Sequence, residues 1–301
     1  MKDIIIIGGG PAGLTAALYA LRANKSVLII EKGTFGGQIT YSPKVENYPG
    51  FLCASGNEIA DKMVEQVLEQ GGEIELDTAL SVRDGDVKTV VCEGGEFSAL
   101  AVIIATGARH RLLGLSREEE LIGNGISFCA VCDGAFFAEK DVAVIGGGNS
   151  ALQEALLLCE TAKSVTVVQN LPYLTGEERL QERLRQNPKA KIILGATVKE
   201  LVGEEELTAI IIKDEKSGEE RTLTVDGMFV AIGLVPQNEA FSNVLKLNAY
   251  GYADADESCL GAAEGVFVAG DCRSKKIRQV TTAVSDGAVA ALAACDYIDN
   301  K

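Results

Sequence analysis

The sequence repeats itself. Residues 3–32 (DIIIIGGGPAGLTAALYALRANKSVLIIEK) align without a gap to residues 141–170 (DVAVIGGGNSALQEALLLCETAKSVTVVQN), so that position 3 matches position 141. Each copy is an apolar run, a glycine cluster, a stretch of helical periodicity and a second apolar run. That order describes a buried strand, a tight turn, an amphipathic helix and a parallel strand, the opening of a dinucleotide-binding βαβ unit. Two such openings in one chain point to an α/β protein with two Rossmann-like three-layer dinucleotide-binding domains.

The glycines of the first copy have distinct mechanical tasks. Gly8 makes the tight turn, Gly10 lets the backbone approach a pyrophosphate, and Gly13 permits close packing of helix on strand. Pro11 and Ala12 open the helix, whose free N–H groups and positive dipole end suit phosphate. Glu31, followed by Lys32, ends the next strand, where a ribose-binding acid belongs.

Two later segments read as strands leading to the same ligand: VIIATG at 102–107, with Ala105, Thr106 and Gly107, and VFVAGD at 266–271, with Gly270 and Asp271. One precedes the second glycine cluster and the other follows it. The second domain is therefore expected as an insertion in the first, with residues 1–113 and 243–301 forming one domain and 114–242 the other.

Composition narrows the class of function. A net charge of −15 over 301 residues argues against nucleic acid and anionic membranes as partners. No run reaches the roughly 18 apolar residues of a membrane helix, and the N-terminal apolar run suits a strand better than a signal peptide. A cytoplasmic protein is the reading. Of eight cysteines only Cys129 and Cys132 are close in sequence, which favours one redox pair among free thiols over a disulfide framework. With no second such pair and a single histidine, His110, zinc is not expected. Two thiols spaced as in Cys129-Ala130-Val131-Cys132 form a short-loop disulfide, and a helix start there stabilises a thiolate.

Taken in order, GGGPAG at 8–13, GGQI at 36–39, ENYPG at 46–50, ATGA at 105–108, CAVCDG at 129–134, GGGNSA at 146–151, AIGLVPQ at 231–237 and the segment from Gly270 to Ala283 resemble the low-molecular-weight thioredoxin reductases over nearly the whole chain. The resemblance implies FAD in the first domain. Gly8, Gly10 and Gly13 would cradle its pyrophosphate and Glu31 would accept from the adenosine ribose. Gly36, Gly37, Gln38 and Asn47 would run along the flavin side, Asp271 would bind the ribityl chain, and Arg278, Gln279 and Val280 would approach the isoalloxazine. It also implies a redox-active Cys129–Cys132 pair, protons moved by Asp133 (whose other reading is a helix N-cap), thioredoxin as acceptor, a homodimer, and a second domain that rotates during turnover. Which cysteine faces the flavin is left open.

One stretch departs from the pattern. In NADPH-dependent relatives the strand after the second glycine cluster ends in His-Arg-Arg with another arginine shortly after; here the residues are Val168-Gln169-Asn170-Leu171-Pro172-Tyr173-Leu174-Thr175. The duplication agrees, because Gln169 falls opposite Glu31, and an NAD site wants a carboxylate there while an NADP site wants arginine nearby. Each charge-assisted hydrogen bond to phosphate is worth about 1.5–3 kcal/mol, so losing two or three weakens NADPH binding by orders of magnitude. Arg179 and Arg183 are expected to pair with Glu178 and Glu182 on a helix. The segment resembles that of the ferredoxin-dependent flavin thioredoxin reductases, which implies reduced ferredoxin (or flavodoxin) as donor. An NADPH-dependent thioredoxin reductase and a dithiol oxidase of the same fold are the alternatives. An acidic ferredoxin would need a basic patch, for which Lys275, Lys276 and Arg278, or Arg109 and Arg111, are candidates. The final helix, Thr281 to Ile298, is alanine-rich and suits packing on the first domain or on a second subunit.

Overall fold

The computed structural model describes residues 1–42 and 44–301. The chain forms two compact units: residues 1–44, 48–109 and 235–301 make the first, and 45–47 with 110–234 the second. The main crossings thus fall at 109/110 and 234/235, where the sequence places them at 113/114 and 242/243.

The first unit begins with β1 (Lys2–Ile7), α1 (Pro11–Arg22) and β2 (Val27–Glu31). It continues through α2 (Gly56–Glu69), β3 (Glu73–Leu76), β4 (Ala79–Arg83), β5 (Lys88–Cys92) and β6 (Glu96–Ile104). β1 lies between β2 and β6, parallel to both, with Ile4 opposite Val27 and Ala101. Its four isoleucines are buried on both faces, as a central parallel strand requires. Ile4 and Ile6 pack with Leu14 and Ala17, while Ile5 and Ile7 pack with Val82, Val90 and Phe241 on the other side. β4 and β5 extend the sheet as an antiparallel meander on β6. α2 is fixed at its start by a reciprocal capping box, Glu58 N–H to Ser55 Oγ and Ser55 N–H to the Glu58 carboxylate.

The chain leaves through β7 (Ala108–His110) and enters the second unit at β8 (Ile126–Ser127), the short helix α3 (Ala130–Asp133), β9 (Asp141–Ile145), α4 (Asn149–Thr161) and β10 (Ser164–Gln169). Then come α5 (Glu178–Arg185), β11 (Ala190–Leu194), the antiparallel strands β12 (Ala196–Val202), β13 (Ala209–Asp214) and β14 (Glu220–Thr224), and β15 (Gly227–Val230). The parallel sheet has the order β11-β10-β9-β15-β8. Val142 and Val144 pack with Leu152 and Ala155 of α4 on one face; Ala143 and Ile145 pack with Val198 and Ile210 on the other. This repeats the first unit's layering.

The chain returns through β16 (Leu234–Pro236), which pairs with β7, to β17 (Val266–Val268), parallel to the last residues of β6 at Val102–Ile104, and to α6 (Val280–Asp299). The alanine face of α6 packs into the first unit's core. At Gly287 a Cβ would stand 2.2 Å from the Ala12 carbonyl oxygen, so α6 and α1 touch backbone to backbone. The fold is α/β with two dinucleotide-binding domains. Among the described residues no helix is long and apolar enough to cross a membrane.

Candidate functional site

In the first unit the glycine turn is fixed by contacts that only glycine allows. Gly8 has φ +111°, and a Cβ there would lie 2.3 Å from the Ala105 carbonyl oxygen; at Gly13 it would lie 1.9 Å from the Gly8 oxygen. Gly10 differs, because a Cβ there would meet nothing within 4 Å. It caps α1 without a side-chain bond, and Pro11 follows at the first helical position. The result is open space at a helix start whose first N–H groups have no partner within the helix.

The neighbouring segments close round this turn. Glu31 accepts from Gly9 N–H at 2.7 Å and from Gly33 N–H at 2.8 Å, which sets its carboxylate at the strand end. Partial burial and the nearby Arg109 hold Lys32 below the ordinary lysine range. Gly36 N–H donates to the Gly9 carbonyl at 2.8 Å, bringing the turn Gly37–Tyr41, with Gln38, over the glycines. Gly270 (φ +82°) lies against α1, where a Cβ would be 2.8 Å from that of Ala12. Gln279 caps α6 and Val280 is its first residue. Thr106 bonds the buried Asn238 at 3.1 Å, and Asn238 donates onward to the carbonyls of Gly251 and Cys272. Asn47 belongs to the short segment grouped with the second unit.

In the second unit Cys129 and Cys132 form a disulfide with Cα atoms 5.3 Å apart. Cys129 caps α3 in extended conformation, and the Cys132 N–H points at its Sγ at 3.2 Å. Ser127 accepts the Cys129 N–H at 3.1 Å and bonds Asp133 Oδ2 at 2.6 Å. Burial raises the Asp133 pKa, opposed by the Ser127 bond. A second acid that the sequence reading missed is Glu154 of α4: its Oε2 is buried without a partner, and burial raises its pKa to about 7, opposed by the Ala130 backbone. Of the other six cysteines Cys53 is exposed and five are buried.

The second glycine turn keeps the geometry of the first. Gly146 has φ +129°, and a Cβ there would be 2.5 Å from the Ala231 carbonyl oxygen. What covers it is different. The buried Gln169 side chain lies over Gly147, where a Cβ would be 2.6 Å from the Gln169 amide carbon. The N–H groups of Thr175 and Gly176 donate to the Gly147 carbonyl at 2.8 and 2.9 Å. Asn149, at the start of α4, exchanges hydrogen bonds with Glu177 at 2.7 and 3.2 Å.

A family model described as pyridine nucleotide-disulphide oxidoreductase matches residues 2–287. The chain belongs to this family. A thioredoxin reductase from Listeria monocytogenes is 42% identical over 299 residues, covering 99% of this chain and 94% of that one. A "34.2 kDa protein in rubredoxin operon" from Clostridium pasteurianum is 42% identical over 303 residues, covering 99% and 98%. The crystal structure of thioredoxin reductase from Streptococcus pyogenes superposes with a TM-score of 0.95 at 40% identity, covering 100% and 99%.

The cofactor of this family member is FAD, and the first unit's residues fit it. Among the described residues four buried side-chain polar atoms lack a hydrogen-bond partner, and two of them, Asp271 Oδ1 and Arg278 Nε, are on residues expected from the sequence to hold FAD. A buried carboxylate oxygen without a donor is costly unless a ligand hydroxyl serves it. Burial raises the Asp271 pKa, with Lys275 and Arg278 opposing. The Arg278 guanidinium stacks 4.4 Å over the Tyr252 ring, which fixes its plane.

Several expectations about charged groups need correction. Lys275 is no solvated docking cation: its ammonium is buried on Asp286 at 2.9 Å. Arg278 is also engaged, as just described, which leaves Arg109, Arg111 and Lys276 exposed among the five candidates. Arg179 and Arg183 do not pair with Glu178 and Glu182; Arg185 takes Glu178 at 2.9 Å, because it also reaches Gln181 one turn away. His110, the single histidine, ends β7. It stacks on Phe128 at 4.5 Å, and burial pushes its pKa down to about 4.

Proposed function

We propose that this oxidoreductase is a thioredoxin reductase whose electrons come from reduced ferredoxin, or a similar one-electron carrier, rather than from NADPH. The observation that carries the donor assignment is the second glycine turn. Gln169 fills the place that a ribose-binding carboxylate holds in the first copy, Asn170, Leu171 and Thr175 follow it, and the acid Glu177 is bonded to Asn149 beside the turn. A 2′-phosphate needs cations in that neighbourhood. The residues from Gln169 to Glu177 include none. The Clostridium relative, named for a rubredoxin operon, supports a one-electron iron protein as donor.

FAD, when bound, accepts electrons singly and delivers them in pairs, which lets a one-electron donor reduce a disulfide. The protein's own residues do the rest. Two electrons open the Cys129–Cys132 bond, and one proton leaves a thiol and a thiolate. The Cys132 N–H favours the thiolate on Cys129, at a helix start that stabilises charge. Attack on the thioredoxin disulfide gives a mixed disulfide, which the second cysteine resolves, restoring Cys129–Cys132. The departing thioredoxin thiolate needs a proton, and Asp133, kept protonated to higher pH by burial, is the acid held next to the turn. Thioredoxin as acceptor, a homodimer and a cytoplasmic setting complete the proposal.

The test is anaerobic. Flavin absorbance is followed while NADPH, NADH or reduced ferredoxin is added, with oxidised thioredoxin as acceptor. Bleaching by ferredoxin with thioredoxin reduced, and an oxidised flavin with both nucleotides, supports the assignment. Rapid bleaching by stoichiometric NADPH overturns it in favour of an NADPH-dependent thioredoxin reductase.

A further inference from the structure

Asn238 is a buried polar side chain that the proposed cycle does not use. It has no exposure, and all of its partners lie in the first unit with it. Its amide nitrogen donates to the Cys272 carbonyl at 2.8 Å and to the Gly251 carbonyl at 3.0 Å, and its oxygen accepts from the Thr106 hydroxyl at 3.1 Å. The orientation is forced: two carbonyls need both amide hydrogens, which leaves the oxygen for the hydroxyl. A buried network whose members are all satisfied is rigid.

Each partner adjoins a group expected to hold a different part of FAD. Thr106 follows Ala105, whose carbonyl oxygen stands against Gly8 in the pyrophosphate turn. Cys272 follows Asp271, whose buried Oδ1 has no partner. Gly251 precedes Tyr252, on whose ring Arg278 stacks at 4.4 Å.

The three are not held equally. Thr106 continues from β6, and the Ala105 N–H donates to the Ile7 carbonyl at 2.8 Å, so the sheet fixes it. Asn238 is anchored as well: its own carbonyl accepts from the Phe241 N–H at 2.9 Å, and Phe241 is in the core. Gly251 and Cys272 lie in turns outside the strands. We propose that Asn238 is a positioning residue of the flavin site. Through the Cys272 and Gly251 carbonyls it sets where Asp271 and Arg278 stand relative to the Gly8 turn, so that one buried amide keeps the pyrophosphate, ribityl and isoalloxazine positions in register.

The proposal rests on the FAD site read above and is independent of donor and acceptor. It is tested by a double-mutant cycle on the FAD affinity of the full-length apoprotein, read by quenching of FAD fluorescence. Asn238→Ala is expected to bind FAD about tenfold more weakly than wild type, within what loss of Asp271 itself costs. In an Asp271→Ala background the same change is expected to cost only about threefold, the share that passes through Gly251 and Arg278. An unchanged affinity in the first comparison overturns the proposal. So does an equal factor in both backgrounds, which is the result for a residue that only stabilises the fold. Wild-type affinity in Asp271→Ala alone would refute the reading of Asp271 on which the proposal rests. If Asn238→Ala does not accumulate, hydrogen exchange on the wild type decides. FAD is then expected to slow the amides of residues 250–253 together with those of 270–273, and a Gly251 turn that exchanges as fast as in the apoprotein sinks the idea.

Discussion

Ser127 Oγ lies 2.6 Å from Asp133 Oδ2, and the same hydroxyl receives the Cys129 N–H at 3.1 Å. The acid assigned to proton delivery is therefore tied to the backbone of a reacting cysteine through one hydroxyl. The hydroxyl donates to the carboxylate and accepts from the amide, so its hydrogen is committed. Removing it leaves Asp133 with neither oxygen served and takes away what opposes its raised pKa.

The first prediction follows from that chain. Asp133→Asn slows thioredoxin reduction by about 10²-fold, the low end of what a positioned acid contributes. Ser127→Ala gives a smaller loss and a signature in pH. Asp133 then stays protonated to higher pH, so the alkaline limb of the rate profile moves upward. Stopped-flow reduction of thioredoxin across pH checks both; an unmoved limb in Ser127→Ala separates Ser127 from Asp133.

The second concerns the donor. Under the proposal that NADPH is excluded for want of cations, replacing Asn170 and Leu171, both exposed beside the second turn, with arginine restores part of its binding. At about 1.5–3 kcal/mol per charge-assisted bond, even one new contact strengthens NADPH binding about tenfold or more. Titration of the double variant with NADPH, read by protein fluorescence or flavin bleaching, measures the gain. NADH, which lacks the phosphate, gains much less.

The sequence was informative where function depends on backbone geometry or on the duplication. Gly8 and Gly13 are legible because no other residue fits against the Ala105 and Gly8 oxygens. The departure at Gln169 is legible because Glu31 stands at the matching place one repeat earlier. Residues whose meaning comes from a distant partner were not legible. Asn238 ties Thr106 to Cys272 across more than a hundred positions, and Glu154 Oε2 of α4 is buried only once the second unit folds round it. Lys275 read as a surface charge because Asp286, eleven positions on, lies one helical segment away from it in sequence and beside it in space.

The third prediction tests the cradle. Asp271 Oδ1 is buried without a partner, and the ribityl chain of FAD supplies hydroxyl donors. Asp271→Ala removes the acceptor and is expected to weaken FAD binding about 10- to 100-fold, the worth of one hydrogen bond to a charged group. Quenching of FAD fluorescence on titration of the apoprotein gives the constant. An unchanged affinity would remove Asp271 from the site.

The last concerns the support beneath that acid. Asp286, buried on α6, accepts from Gly270 N–H at 3.0 Å, from Arg273 at 2.9 and 3.2 Å and from Lys275 at 2.9 Å. It thereby holds the turn that presents Asp271. Burial works to raise its pKa, but the bonds from Arg273 and Lys275 outweigh this and keep it below the usual carboxylate range. A lowered folded-state value means a stabilisation fully present above the unfolded carboxylate pKa of about 4 and lost as pH falls through the folded value. Asp286→Ala takes the buried carboxylate from both cations, leaving Lys275 with only the Thr282 carbonyl and Arg273 with two carbonyls and the exposed Glu257 at 3.6 Å, and is expected to cost about 3 kcal/mol. Asp286→Asn keeps the shape and removes the charge. The advantage of the wild type over it should be constant from neutral pH down to the unfolded carboxylate range and shrink below that. Denaturant unfolding of the flavin-loaded proteins over this pH range tests it; an advantage that persists unchanged into acid would show that packing, and not the ion cluster, holds the Gly270 turn.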